Sequence, residues 1–120
     1  MYGTSPEMLK RMYVPGSLKN QDEGFAFQIK NTIESGSISG LAKLSVDGEE
    51  RPLDGITVAI DSKTREASSI TWSASLYVSY GAVLTIFVPG QLAAGEHTVT
   101  LQVNVPELGR ISLPVTDTIV

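Results

Sequence analysis

The stretch His97-Thr98-Val99-Thr100-Leu101-Gln102-Val103-Asn104-Val105 puts Val99, Leu101, Val103 and Val105 on one side of an extended chain and Thr98, Thr100, Gln102 and Asn104 on the other. A repeat of two is the period of a β-strand, whose successive side chains point to opposite faces; one face here is built for a core and the other for water. Five more segments read the same way: Phe25/Phe27/Ile29 within Glu23–Lys30, Ile56/Val58/Ile60, Leu76/Val78/Tyr80, Leu84/Ile86/Val88 against Val83/Thr85/Phe87, and Ile111/Leu113/Val115. Each large apolar side chain buried in this way contributes roughly 1.5–3 kcal/mol before entropy is subtracted. The pattern predicts an all-β fold, a two-sheet antiparallel β-sandwich. Periodicity leaves an immunoglobulin-like and a jelly-roll-like strand order equally open.

The residues between the runs agree. Asp47-Gly48 lies between strand-like flanks, and a type I′ hairpin turn needs positive φ at both central positions, which Asp-Gly tolerates. Asn20-Gln21-Asp22-Glu23-Gly24 and Pro106-Glu107-Leu108-Gly109 are expected to reverse the chain, and turn signals recur about every 8–12 residues, the spacing of a sandwich or barrel. Pro114 cannot donate to a strand ladder, so the C-terminal strand is expected at a sheet edge. Helix is confined to a turn or two: Ser5-Pro6-Glu7-Met8-Leu9-Lys10-Arg11-Met12, with Ser5 as cap and Pro6 at the first helical position, and a single turn over Glu66–Ile70. With no internal repeat or linker, 120 residues are expected to form one domain, spanning 1–120.

Composition excludes several functions. Thirteen acidic against nine basic residues give a net charge of −4, and the basic side chains are scattered, so neither nucleic acid nor an anionic membrane surface is an expected partner. No cysteine is present, which removes thiolate chemistry and cysteine-ligated metals and favours a cytoplasmic setting. The start, Met1-Tyr2-Gly3-Thr4-Ser5-Pro6-Glu7, has neither the basic flank nor the apolar run of a signal peptide. The longest apolar-rich stretch, Gly81–Val88, is too short to span a bilayer.

Catalytic chemistry is hard to assemble from these residues. A nucleophile needs an adjacent base, and the single histidine, His97, sits where a hydrogen-bonding residue closes a loop onto the end of a sandwich. Asp47-Gly48-Glu49-Glu50 lacks the spacing of a calcium loop and reads as a solvated hairpin tip. Ser35-Gly36-Ser37-Ile38-Ser39-Gly40 lacks the helix and the Lys-Ser/Thr pair of a phosphate loop. No catalytic residue, cofactor or metal is therefore expected in this chain. Two groups of side chains read as contact surface instead. Tyr2, Met8, Met12 and Tyr13 make residues 1–13 a candidate partner-contacting segment, with completion of the core as the equal alternative. Trp72 and Tyr77 flank a serine-rich turn and, with Tyr80, would form a stacking platform in a stand-alone carbohydrate- or partner-binding module.

Four stretches carry a family resemblance: Met1–Thr4 with Val14-Pro15-Gly16-Ser17-Leu18-Lys19-Asn20, then Glu23–Asn31, Ser45–Glu49, and Gly95–Val105. In order and spacing they resemble the small β subunits of bacterial C-glycoside deglycosidases. The resemblance implies a non-catalytic subunit in a hetero-oligomer. A larger barrel-type α subunit, holding a divalent metal, would cleave the carbon–carbon bond of a 3-oxo-C-glycoside there. No catalytic residue of that family maps onto this chain.

Overall fold

In a computed structural model that describes residues 6–106 and 108–120, the His97 stretch lies inside one of two facing sheets. That sheet orders β11 (Gly109–Ile119), β10 (Gly95–Val105), β4 (Gly40–Val46) and β5 (Glu49–Arg51). The facing sheet orders β1 (Lys19–Gln21), β2 (Gly24–Lys30), β9 (Val83–Pro89), β6 (Thr57–Ile60) and β7 (Lys63–Glu66). A ribbon of β3 (Gly36–Ile38) and β8 (Leu76–Val78) lies outside both. Every strand pairing is antiparallel. Among the described residues, helix is limited to α1 (Pro6–Lys10) and a 3₁₀ turn at Ala67–Ser69, and neither could cross a membrane.

Alternation translates directly into burial. Leu84, Ile86 and Val88 of β9 are buried while Thr85 and Phe87 are half-exposed; Val99, Leu101 and Val103 of β10 are buried against half-exposed Thr and Gln neighbours. These side chains, with Phe25, Phe27, Leu44, Val58 and Val115, form one core cluster. β4 escaped the sequence reading for a physical reason. Its apolar residues Leu41 and Leu44 are three apart, because a bulge leaves Ala42 without a partner between the pairs Lys43–Gln102 and Leu41–Val103. The extra residue reverses the phase of the alternation, so Leu41, Leu44 and Val46 all reach the core.

Turns and edges follow the local chemistry. Three two-residue hairpin loops open with an aspartate at positive φ: Asp22 at 53°, Asp47 at 51° and Asp61 at 56°. Gly48 follows at 88°, which gives Asp47-Gly48 the paired positive φ of a type I′ turn. Asn20 and Gln21 belong to β1 rather than to the turn expected there. Among the described residues β11 pairs as a strand with β10 alone, so Pro114 does sit on an edge strand. The other three edges, β1, β5 and β7, are short and dominated by charged and polar residues, which discourages strand addition. At Gly24 a Cβ would lie 2.2 Å from the carbonyl oxygen of Val88, so this close approach between β2 and β9 admits glycine only.

Candidate functional site

The N-terminal segment is built into the sandwich. Tyr13 pairs with Ile29 as an isolated bridge, the Val14 amide donates to the Gln28 carbonyl, and Leu9, Met12 and Tyr13 pack on the core. The Tyr13 hydroxyl donates to Asp117 Oδ2 at 2.6 Å and accepts the Leu18 amide at 3.0 Å. Asp117 also accepts the Gly16 amide at 2.8 Å, so one tyrosine ties β2 of one sheet to edge strand β11 of the other. Burial first, and the Asp117 bond second, push the Tyr13 phenol above its ordinary pKa; the Tyr13 hydroxyl and the Thr118 and Gly16 amides hold the Asp117 carboxyl below its own. Tyr13 is thus a latch. Tyr2 lies outside the described residues.

An apolar cleft of about 730 Å³, open to solvent, enters between the sheets at one end of the sandwich. One wall is Ile29, Val58, Leu84 and Ile86 of the five-stranded sheet; the other is Leu41, Leu101, Val103 and Ile111. Met8, Glu34 and Leu108 are exposed lining residues and mark its mouth, and Met12 lines it from the turn after α1. Its origin is compositional. Both core phenylalanines, Phe25 and Phe27, fill the other end of the sandwich, while Phe87 points away from the core, so the apolar lining at this end is Val, Leu, Ile and Met with no aromatic ring. Sealed and empty, such a space would cost on the order of 17 kcal/mol at ~24 cal/mol per Å³. That exceeds the roughly 5–15 kcal/mol by which domains are stable, so the space must be open or occupied. The buried polar side chain in the wall, Asn31, is fully used: its amide donates to the carbonyls of Glu34, Val78 and Ser79, and its oxygen accepts the Ile33 amide.

A second, polar cleft of about 350 Å³ covers the aromatic end, lined by Asp47, Glu49, Glu50, Arg51, Gln91 and His97 among others. His97 Nδ1 lies 2.7 Å from Asp47 Oδ2 and Nε2 lies 2.7 Å from the Ala93 carbonyl oxygen. Both ring nitrogens therefore face acceptors and both must donate, which favours the imidazolium and leaves no lone pair to accept a proton. The Asp47 bond first, then the Ala93 carbonyl, raise the His97 pKa; the Thr98 amide first, then His97, lower that of Asp47. The expected corner role of His97 holds, and Asp47–Glu50 is the solvated hairpin tip expected there, with the Asp47 carboxylate bonded to His97. Among the described residues no group of three or more His, Asp or Glu side chains gathers as a metal site.

Trp72 is 81% exposed, Tyr77 63% and Tyr80 65%. Trp72 rides at the tip of a turn closed by mutual Thr71–Ala74 backbone bonds. Arg65 of β7 pins that turn from below, donating to the carbonyls of Ser69, Ala74 and Ser75 at 2.7, 2.9 and 3.2 Å. The backbone of the turn that carries the exposed indole is thereby held in place. Of the six residues singled out from sequence, then, Met8 and Met12 come together at the cleft, Tyr13 is the latch, and Trp72 and Tyr77 are both exposed, Tyr77 between the buried Leu76 and Val78 of β8. Sequence reasoning missed Asn31, Arg65 and Asp117. The confinement of phenylalanine to two neighbouring core positions was the one available signal for the cleft.

Fold and site together define an antiparallel β-sandwich with an apolar interior chamber and a rigid, aromatic-bearing turn. The family model for the hydroxymethylglutaryl-CoA reductase N-terminal domain matches residues 8–120, and the chain belongs to that family. No curated protein matches the chain in sequence. The family match overturns the resemblance to C-glycoside deglycosidase β subunits, and with it the expected role in carbon–carbon lyase chemistry and carbohydrate metabolism. That resemblance rested on hairpin turns and strand alternation, which unrelated sandwiches share because backbone geometry dictates both.

Proposed function

We propose that this chain is a non-catalytic domain of a hydroxymethylglutaryl-CoA reductase that docks on the larger part of the enzyme carrying out the reduction. The family match over residues 8–120 carries this reading. The structure supports it in two ways. The sole histidine is locked between Asp47 and Ala93, so it has no free nitrogen for proton transfer. Trp72, largely exposed on a turn whose backbone Arg65 braces, has the form of an interface anchor, since exposed tryptophans can dominate binding energy when a partner covers them.

The purified chain mixed with the catalytic part of the reductase should form a complex detectable by sedimentation velocity. Trp72→Ala should weaken it by about 30-fold or more, the equivalent of a ~2 kcal/mol hot spot. Absence of a complex, or reduction of hydroxymethylglutaryl-CoA by this chain alone, would overturn the reading.

A further inference from the structure

We infer that the chamber between the sheets is a binding site for the alkyl chain of an uncharged lipid. Its volume, about 730 Å³, lies within the range of small-molecule sites, and it extends past the mouth to core residues of both sheets such as Ile86 and Leu101. The walls are branched aliphatic side chains, and Asn31 spends its polar atoms on neighbouring backbone groups, so the buried part of any occupant must be hydrocarbon. Met8 and Met12 supply unbranched, adaptable side chains that can close on chains of differing length.

The mouth selects the head group. Glu34 stands there, and among the described lining residues there is no lysine, arginine or histidine. A carboxylate or phosphate head would face a like charge with no counter-ion, in a protein whose net charge is already −4. A hydroxyl head meets no such penalty and can exchange hydrogen bonds with Glu34 and with Ser37 at the rim. This inference is independent of docking through Trp72.

The test titrates the full chain with dodecanol and with dodecanoate by calorimetry, below the solubility limit of each. One dodecanol per chain is expected, with dodecanoate at least tenfold weaker, and the methyl carbon resonances of Met8 and Met12 should shift on saturation. Val103→Phe, which fills the chamber from its wall, should abolish binding. Should that variant misfold, the methyl shifts in the unaltered chain still decide. No saturable dodecanol binding, equal affinity for dodecanoate, or nuclear Overhauser contacts from Tyr2 to Val103 in the ligand-free chain would overturn the proposal.

Discussion

The two ends of this sandwich are made from the same strands and behave as different materials. At one end Phe25 and Phe27 stack with ring centroids 6.4 Å apart, Leu44, Val99 and Val115 surround them at 0–2% exposure, and the Arg51 guanidinium lies 5.8 Å from the Phe25 ring centroid. At the other, Ile29, Leu84, Val103 and Ile111 face one another across the chamber. Strand pairing runs without a register break between β2 and β9 and between β10 and β11; the one break among the described residues, the β4 bulge opposite Gln102 and Val103, lies on the chamber side. What differs is side-chain volume. Close packing around the phenylalanines sets how far apart the sheets stand, the continuous strands carry that separation along their length, and the smaller aliphatic side chains do not fill it at the other end.

The sharpest way to break this comparison is one deletion made at both ends. Leu44→Ala removes contacts on every side and should cost near the top of the ~2–5 kcal/mol range for such changes. Leu84→Ala deletes atoms that already border empty space and should cost near the bottom of it. Chemical denaturation of both variants decides; equal costs would mean that the chamber is not open in solution. Next in size is the latch along the side of the sandwich. Tyr13→Phe strips Asp117 of a charge-assisted bond and leaves the Leu18 amide unpaired, an expected loss of about 1.5–3 kcal/mol by the same measurement.

Smaller still is the pH dependence of the His97–Asp47 pair over the aromatic end. His97 has a raised pKa in the folded chain, so its contribution is whole below about pH 6.5 and is lost as pH rises through the folded value. Asp47 has a lowered one, so its contribution is whole above about pH 3.9 and is lost as pH falls through its folded value. The pair therefore contributes most between those limits, within reach of Glu49, Glu50 and Arg51. Melting temperature should decline from about pH 6.5 upward, and His97→Gln should flatten that decline. The smallest expected effect is that of Trp72→Ala on folding. A largely exposed side chain should change stability by no more than about 0.5 kcal/mol in thermal melts, while partner binding weakens.

Much of the fold was legible because alternation and burial are one phenomenon. Val99, Leu101 and Val103 announce a core face in any context, and Asp47-Gly48 announces its turn. β4 was hidden because its bulge at Ala42 breaks the very period that reveals strands. The candidate site was legible only in part. Met8, Met12 and Trp72 could be named as side chains in want of a surface, but Tyr13 could be assigned as latch only once Asp117, 104 positions away, was found beside it. The family expected from turn motifs failed, since those motifs report backbone geometry and not descent.

By itself the sequence determined that alternate residues of several extended segments must share a dry interior, that the hairpins turn where aspartate and glycine permit positive φ, and that cysteine chemistry is impossible. Tertiary structure alone decided that the phenylalanines gather at one end, that an apolar chamber opens at the other, that His97 is spent on Asp47 and Ala93, and that Arg65 braces the turn on which Trp72 is exposed. The division has a physical cause. Periodicity and turn chemistry act between residues close along the chain, whereas a cleft or a latch depends on how side chains from distant strands divide a fixed space between two sheets.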